Sequence, residues 1–339
     1  MFKIYDKNIL IEDFNYRAFP DIMIHPDTKD LYIIHRVSDY HHPTYSSLVV
    51  HKSIDQGSTW QCIFNKDLSM DSDSKVFNCP RLSMYNGKIT IITDTKTDRR
   101  EVDSKFETYF YTINGVGDVI REDKLPFIGM VPDRLVKFEG NYHCANHVIK
   151  DKQNSLIQLV NKQDNWGNWF TSNVVANSNI ADFCEASLVP VGDTLYAYLR
   201  NNANLSGNKE DFDYEEHLAN MRNACLSTSV DGYNWSCPKL LPFFGHRIVA
   251  IHDEENGKIV GTYRDTENCS VSIFTHDPSD IDNTFEKAII EQETTENMYH
   301  MGYTGIVKTG TNEYMVAYYT KSDREKPFIK TCKVKYIGN

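Results

Sequence analysis

Six segments of the chain repeat one plan: a polar or proline-containing lead-in, an alternating apolar strand, a tight turn and a second apolar strand. They are RAFPDIMIHPDTKDLYIIHR from Arg17, FNCPRLSMYNGKITIITDT from Phe77, MVPDRLVKFEGNYHCANHV from Met130, FCEASLVPVGDTLYAYLR from Phe183, GHRIVAIHDEENGKIVGTYR from Gly245 and GYTGIVKTGTNEYMVAYYT from Gly302. Their turns carry PDT, NG, EGN, GD, ENG and GTN, residues that accept the backbone of a hairpin turn. The spacing of the starts leaves room for two more strands in each unit. One such unit cannot bury its apolar face alone, so neighbours must stack. The pattern predicts an all-β fold, a six-bladed β-propeller of four-stranded antiparallel blades, with residues 1–339 as a single domain. An irregular pair of β-sandwiches is the alternative. One stretch of helical character, NKEDFDYEEHLANMRNA (208–224), lies between the fourth and fifth units.

Bulk chemistry narrows the partners. With 36 Lys and Arg against 47 Asp and Glu the net charge is −11, so a broad phosphate-binding face and nucleic acid are poor expectations, although a local cationic pocket is not excluded. The 20 Tyr and 17 Phe favour strands. Cys62, Cys79, Cys144, Cys184, Cys225, Cys237, Cys269 and Cys332 show neither a CxxC nor a metal-ligand spacing. They read as reduced thiols, with Cys225 and Cys237 as the one candidate pair, since they flank a turn. The start, MFKIYDKNILIEDF, has no apolar h-region, and no run approaches the length of a membrane span. A cytoplasmic protein is expected, or a secreted one if a signal peptide was removed, in which case the sequons at Asn204, Asn234 and Asn268 would matter. No Gly-rich phosphate loop, HExxH or GxSxG occurs, so no cofactor or metal is expected.

Between the hairpins a second motif recurs. Ser53-x-Asp55-x-Gly57-x-Thr59-Trp60 is echoed by Ser229-x-Asp231-Gly232-x-x-Trp235, and Asp164 and Trp169 repeat the spacing of Asp55 and Trp60. The carboxylate can accept turn N–H groups, the glycine permits positive φ and the indole can pack between strands. This resembles the Asp-box (BNR repeat) of sialidase-like propellers, a folding device rather than a catalytic one.

Function has to come from what the hairpins present. Folding each about its turn sets Arg17 opposite Arg36, Glu185 opposite Arg200, Arg247 opposite Arg264 and Tyr303 opposite Tyr318. All lie at the open ends, which share one face in a propeller. Strand-end arginines are ordinarily solvated or make weak surface pairs. Their recurrence in three hairpins points instead to a cationic pocket, with Arg17, Arg200 and Arg264 gripping a carboxylate through paired hydrogen bonds. An acidic sugar fits such a pocket better than a phosphate polymer.

Taken in order, "YRAFPDI", "LYIIHR", "EASLVPVGDTLYAYLR", "GTYRD", "GYTGIV" and the Asp-boxes resemble the sialidase (neuraminidase) superfamily, of the exo-sialidase type, over essentially the whole chain. The resemblance implies a glycoside hydrolase that removes sialic acid from a glycan with retention. It implies Arg17, Arg200 and Arg264 as the carboxylate-binding triad, Arg36 as a further pocket residue, Tyr303 as nucleophile and Glu185 as its base. A neutral phenol approaches a carbon that carries a carboxylate with less repulsion than an anion would, and a neighbouring base takes its proton as attack proceeds.

The chain departs from the family in two places. The acid/base aspartate normally follows Arg36 by five or six residues, where this chain has His41 and His42; Asp39 is the first candidate and His42 the second. Blade two has Cys79-Pro80 in place of Asp-Pro, and Arg81 and Arg134 face the pocket or, preferably, bridge blades. Another acidic sugar (a 2-keto acid or a uronate), lyase chemistry, and a propeller that only binds carbohydrate or protein are the competing readings.

Overall fold

The computed structural model describes residues 1–11, 13–68, 75–96, 106–125, 130–150, 153–161, 169–176, 181–203, 223–293, 300–322 and 324–338. Almost everything regular in them is antiparallel sheet; a single helical turn, Ile281–Thr284, is the exception among the described residues. Most of the 208–224 stretch, together with Asn204 and Asp164, lies outside them.

Each predicted hairpin is the inner pair of a sheet. The first sheet runs Tyr16–Ile24, Leu31–Ser38, Ser46–Ser53 and Gln61–Leu68. In the second, Val76–Phe77 and Arg81–Tyr85 both pair with Lys88–Lys96, followed by Phe106–Ile113 and Val119–Lys124. The third comprises Val136–Phe138, Asn141–Lys150, Gln153–Asn161 and Trp169–Ala176. The fourth and fifth are joined because the long strand Lys239–Asp253 closes one and opens the other. The fourth sheet also has Ala181–Val191, Thr194–Ala203 and Asn223–Ser229, and the fifth has Lys258–Asp265, Ser270–His276 and Glu286–Gln292. The sixth holds Thr304–Gly310, Glu313–Thr320 and Phe328–Tyr336, and its outer strand is Phe2–Ile11, which pairs Phe2 with Tyr336. Both ends of the chain therefore share one sheet. The turns behave as their residues require: Asn86 and Gly87 take φ of 47° and 71°, the two positive values of a tight hairpin turn.

Apolar clusters fill every gap between consecutive sheets. Ile34, Leu48 and Val50 meet Phe77, Ile89 and Tyr111 between the first two. Ile22, Leu31 and Ile33 meet Val307, Met315 and Ala317 between the first and the sixth. Buried polar groups stitch the inner hairpins together. Leu82 N donates to Asp21 Oδ2 at 2.9 Å, Leu135 N to Ser83 Oγ at 2.7 Å, Leu188 N to Asp133 Oδ2 at 2.6 Å and Ala250 N to Ser187 Oγ at 3.2 Å. Gly305 completes the approach of the sixth hairpin to the first, since a Cβ there would lie 2.6 Å from Ile22 N. Arg81 and Arg134 belong to this framework: Arg134 pairs with Asp21 and donates to the carbonyls of Ile22 (2.8 Å) and Ile306 (3.1 Å), and Arg81 reaches Thr304 O at 3.2 Å. They bridge sheets, as preferred from the sequence. At the turn end, an opening of about 410 Å³ is lined by all six hairpins, among them Met23, Ser83, Leu135, Val189, Ile251 and Val307.

The turns after the outer strands follow their composition. Thr59 N and Oγ1 donate to Asp55 at 2.8 and 2.6 Å, and Trp60 Nε1 to Gly57 O at 3.1 Å. Those bonds, Thr59's hydroxyl foremost, pull Asp55 down to about 2. Asp231 accepts from Tyr233 N and Asn234 N in the same way. All eight thiols are free, in keeping with the reading as reduced thiols, and the one candidate pair is not joined, Cys225 being buried and Cys237 exposed.

Histidines buried in this framework make stability acid-sensitive. His35 and His51 stack at 5.3 Å, and burial holds both down, His51 to about 4, with the Arg17 charge adding to the effect. Unfolded histidine takes up its proton near pH 6.5. Between about 6.5 and 4 the unfolded chain therefore binds more protons, and stability falls as the pH is lowered. Melting temperatures across that range should decline, and His51→Gln should make the decline shallower.

Candidate active site

β-bulges decide what the open ends of the hairpins present. Phe19, Val131, Glu185, Arg247 and Gly302 occupy equivalent places in five inner hairpins, each with positive φ (58°, 51°, 49°, 48° and 87°). The registers jump at three of them, between Ala18 and Asp21, Cys184 and Ala186, and His246 and Val249. A bulge inserts a residue and re-aims its side chain. Arg264 accordingly pairs with His246 rather than Arg247. Arg36 pairs with Ala18 rather than Arg17 because the first turn is centred between Asp27 and Thr28, where Ile24 meets Leu31, and Tyr318 pairs with Thr304 rather than Tyr303 in a ladder that shifts between Lys308 and Gly310.

At the Glu185 bulge three side chains meet. Tyr303 Oη donates to Glu185 Oε1 at 2.6 Å, and Arg200 Nη1 donates to Glu185 Oε2 at 2.9 Å and to Tyr303 Oη at 3.0 Å. The Arg264 guanidinium lies 4.3 Å from the centre of the Tyr303 ring, fixed by 2.8 Å bonds from Nε to Met301 O and from Nη2 to Tyr319 Oη. Gly302 permits that contact: a Cβ there would sit 2.9 Å from Arg264 Cβ. Burial opposes ionisation of Glu185, but Arg200 and Arg247 outweigh it and hold the carboxyl well below its usual range. Burial and the Glu185 charge push Tyr303 well up, against Arg200 and Arg264. The shared proton therefore rests on the phenol.

Arg36 stands on the far side of Phe19, its guanidinium 4.5 Å from that ring, and Nη2 donates to His41 O at 2.7 Å. The same ring touches Tyr303 at 5.2 Å and Tyr319 at 5.6 Å. Arg17 is not brought to this group. It grips Asp13 through Nε at 3.0 Å and Nη2 at 2.7 Å, on the strand face it shares with Val37. Arg247 lies wholly buried beneath, donating to Pro132 O at 2.9 Å. Asp39 accepts from Thr44 N at 2.9 Å and Thr44 Oγ1 at 2.6 Å, bonds that outweigh burial and keep it ionised within its own loop. His42 is exposed; its ring meets His41 at 4.8 Å, and His41 is the one beside Phe19.

Phe19, Tyr319, Tyr16 and His300 were not singled out from the sequence. Tyr319 would have emerged from the sixth hairpin's own register, which sets Thr304 against Tyr318, and Phe19 from a first turn centred between Asp27 and Thr28. No signal marks Tyr16 or His300. Among the described residues no cluster of His, Cys, Asp or Glu could hold a metal, and no helix is long and apolar enough to cross a membrane.

No family model and no curated protein matches the sequence. Solved structures do. A protein of unknown function from Dyadobacter fermentans superposes with a TM-score of 0.78 at 16% identity, over 98% of this chain and 99% of that one. The Hadza microbial sialidase Hz136 gives 0.70 at 14%, over 94% of this chain and 66% of that one. The α-L-arabinanase of Penicillium chrysogenum, solved with arabinobiose, gives 0.68 at 10%, over 98% of both. At these identities the likeness is one of fold, shared with glycoside hydrolases.

Proposed function

We propose that the chain is a retaining glycoside hydrolase of sialidase-like type, built as a six-bladed propeller closed by its N-terminal strand, that removes a terminal sialic acid or a related acidic sugar. The observation that carries the reading is the triangle of Tyr303, Glu185 and Arg200. In it a neutral phenol already gives its hydrogen bond to an ionised carboxylate, as a tyrosine nucleophile with an attendant base requires. Arg36, Arg200 and Arg264, with Arg17 left out, are the guanidinium groups proposed to hold the sugar carboxylate. That carboxylate would draw Arg200 away from Glu185, raise the basicity of Glu185 and ready it for the phenol's proton only when substrate is bound. Tyr303 then attacks the anomeric carbon, and water releases the sugar from tyrosine with net retention.

A neutral furanoside is the second reading. It is favoured by the ion pair of Arg17 with Asp13, which removes one guanidinium from the pocket. Aryl glycosides of sialic acid, a 2-keto-3-deoxy acid, glucuronic acid and arabinofuranose, followed by NMR for the first anomer released, separate the two. Cleavage of an acidic member with retention supports the proposal. Cleavage of the arabinofuranoside alone, inversion, or no turnover by folded protein contradicts it.

A further inference from the structure

Beside the triangle runs a second chain of hydrogen bonds that the mechanism above leaves without a role. The Tyr16 hydroxyl lies 3.0 Å from His41 Nδ1 and 3.0 Å from His300 Nδ1. A phenol has one proton, so it cannot donate to both rings. Burial foremost, then Lys321 and Arg264, holds His300 below its usual range against the pull of Glu293, which makes His300 the neutral acceptor. Tyr16 then donates to His300 and accepts from His41 Nδ1–H. Burial pushes the Tyr16 hydroxyl well up, so it keeps its proton. The arrangement fixes the tautomer of His41 and leaves Nε2 as its titrating atom.

His41 is also well placed. Its ring lies 5.6 Å from that of Phe19, which lies 5.2 Å from that of Tyr303, and its carbonyl is held by Arg36. An imidazole and the proposed nucleophile thus border one aromatic ring. The carboxylate expected in this loop, Asp39, is engaged with Thr44.

We infer that His41, positioned by Tyr16 and His300, is the acid/base residue of this site; the inference rests on the retaining mechanism proposed above. In the first step the His41 imidazolium gives its Nε2 proton to the departing glycosidic oxygen. At the same time Tyr303 oxygen bonds to the anomeric carbon and the Tyr303 proton passes to Glu185. In the second step water bonds to that carbon and yields a proton to His41 Nε2, while Glu185 returns its proton to Tyr303 as the sugar–tyrosine bond breaks. Among the described residues, the charged and titratable groups facing the relay are Arg36, Arg264, Lys321, Glu293, Tyr319 and His42.

Acid assistance matters in proportion to the basicity of the leaving group. His41→Ala should therefore slow hydrolysis of sialyllactose by roughly 10²- to 10⁴-fold but change that of 4-nitrophenyl sialoside by less than about tenfold. It should also remove the alkaline limb of the kcat/KM profile. Tyr16→Phe should shift that limb, which a merely structural residue would not. Equal slowing of both substrates by His41→Ala, or an unmoved limb in Tyr16→Phe, overturns the inference and leaves the role of Tyr303 standing. A wild type inert to both sialosides and to the other acidic aryl glycosides overturns the parent mechanism instead. NMR titration of the histidines then decides the relay separately: a His41 pKa unmoved by Tyr16→Phe overturns it, and a shifted one supports it.

Discussion

Tyr303→Phe is expected to lower turnover of the protein's glycoside substrate by roughly 10³- to 10⁶-fold, the scale on which enzymes lose a covalent nucleophile. The substitution removes one oxygen. Arg200 still holds Glu185, Phe19 still packs the ring, and Arg264 still lies over an aromatic face. The loss of one hydrogen bond to a charged group costs about 1.5–3 kcal/mol, which a chain of this size survives. A rate collapse with a near-native circular dichroism spectrum separates chemistry from folding. Turnover within tenfold of wild type would remove Tyr303 from the mechanism.

Asp21→Ala should have the largest effect on stability, about 3–5 kcal/mol, because it leaves the buried Arg81 and the largely covered Arg134 charged and without their carboxylate partner. Asp21 is fully buried and serves both arginines as well as Leu82 N. Burial opposes its charge, yet Arg134 and Arg81 keep its carboxyl below the usual range. Its contribution is therefore complete above about pH 4, the unfolded value, and is lost as the pH falls through the lower folded one. Urea denaturation at neutral pH measures the loss. A change under 1 kcal/mol would mean that the arginines find other partners.

What was legible in the sequence was local. The NG and EG turns with alternating strands on either side reported the inner hairpins, and the Asp55 turn reported its own hydrogen bonds. What was hidden was register. Counting symmetrically from each turn assumes a regular ladder, and the bulges at Phe19, Glu185 and Arg247 break it at or beside the residues of interest. Glu185 and Arg200 still met, because the bulge lies on the glutamate itself. Arg17 lost its place, because the turn is centred one residue later than symmetric counting assumes and the bulge between that turn and Arg17 sets it against Val37, on the opposite face from Arg36. Phe2–Ile11 escaped notice because its partner, Phe328–Tyr336, lies at the other end of the chain and neither strand announces the pairing. The Tyr16–His41–His300 chain joins three loops and strand ends with no fixed spacing, so only the folded molecule brings it together.

The central proposal is a covalent bond between a sugar and Tyr303. A fluorinated sialyl fluoride, which enters the first step readily and leaves the second slowly, should add one sugar mass to the peptide carrying Tyr303, and the adduct should be absent from Tyr303→Phe and reduced in Glu185→Gln. A folded, active protein that is never labelled, or is labelled at another residue, would contradict the proposed mechanism.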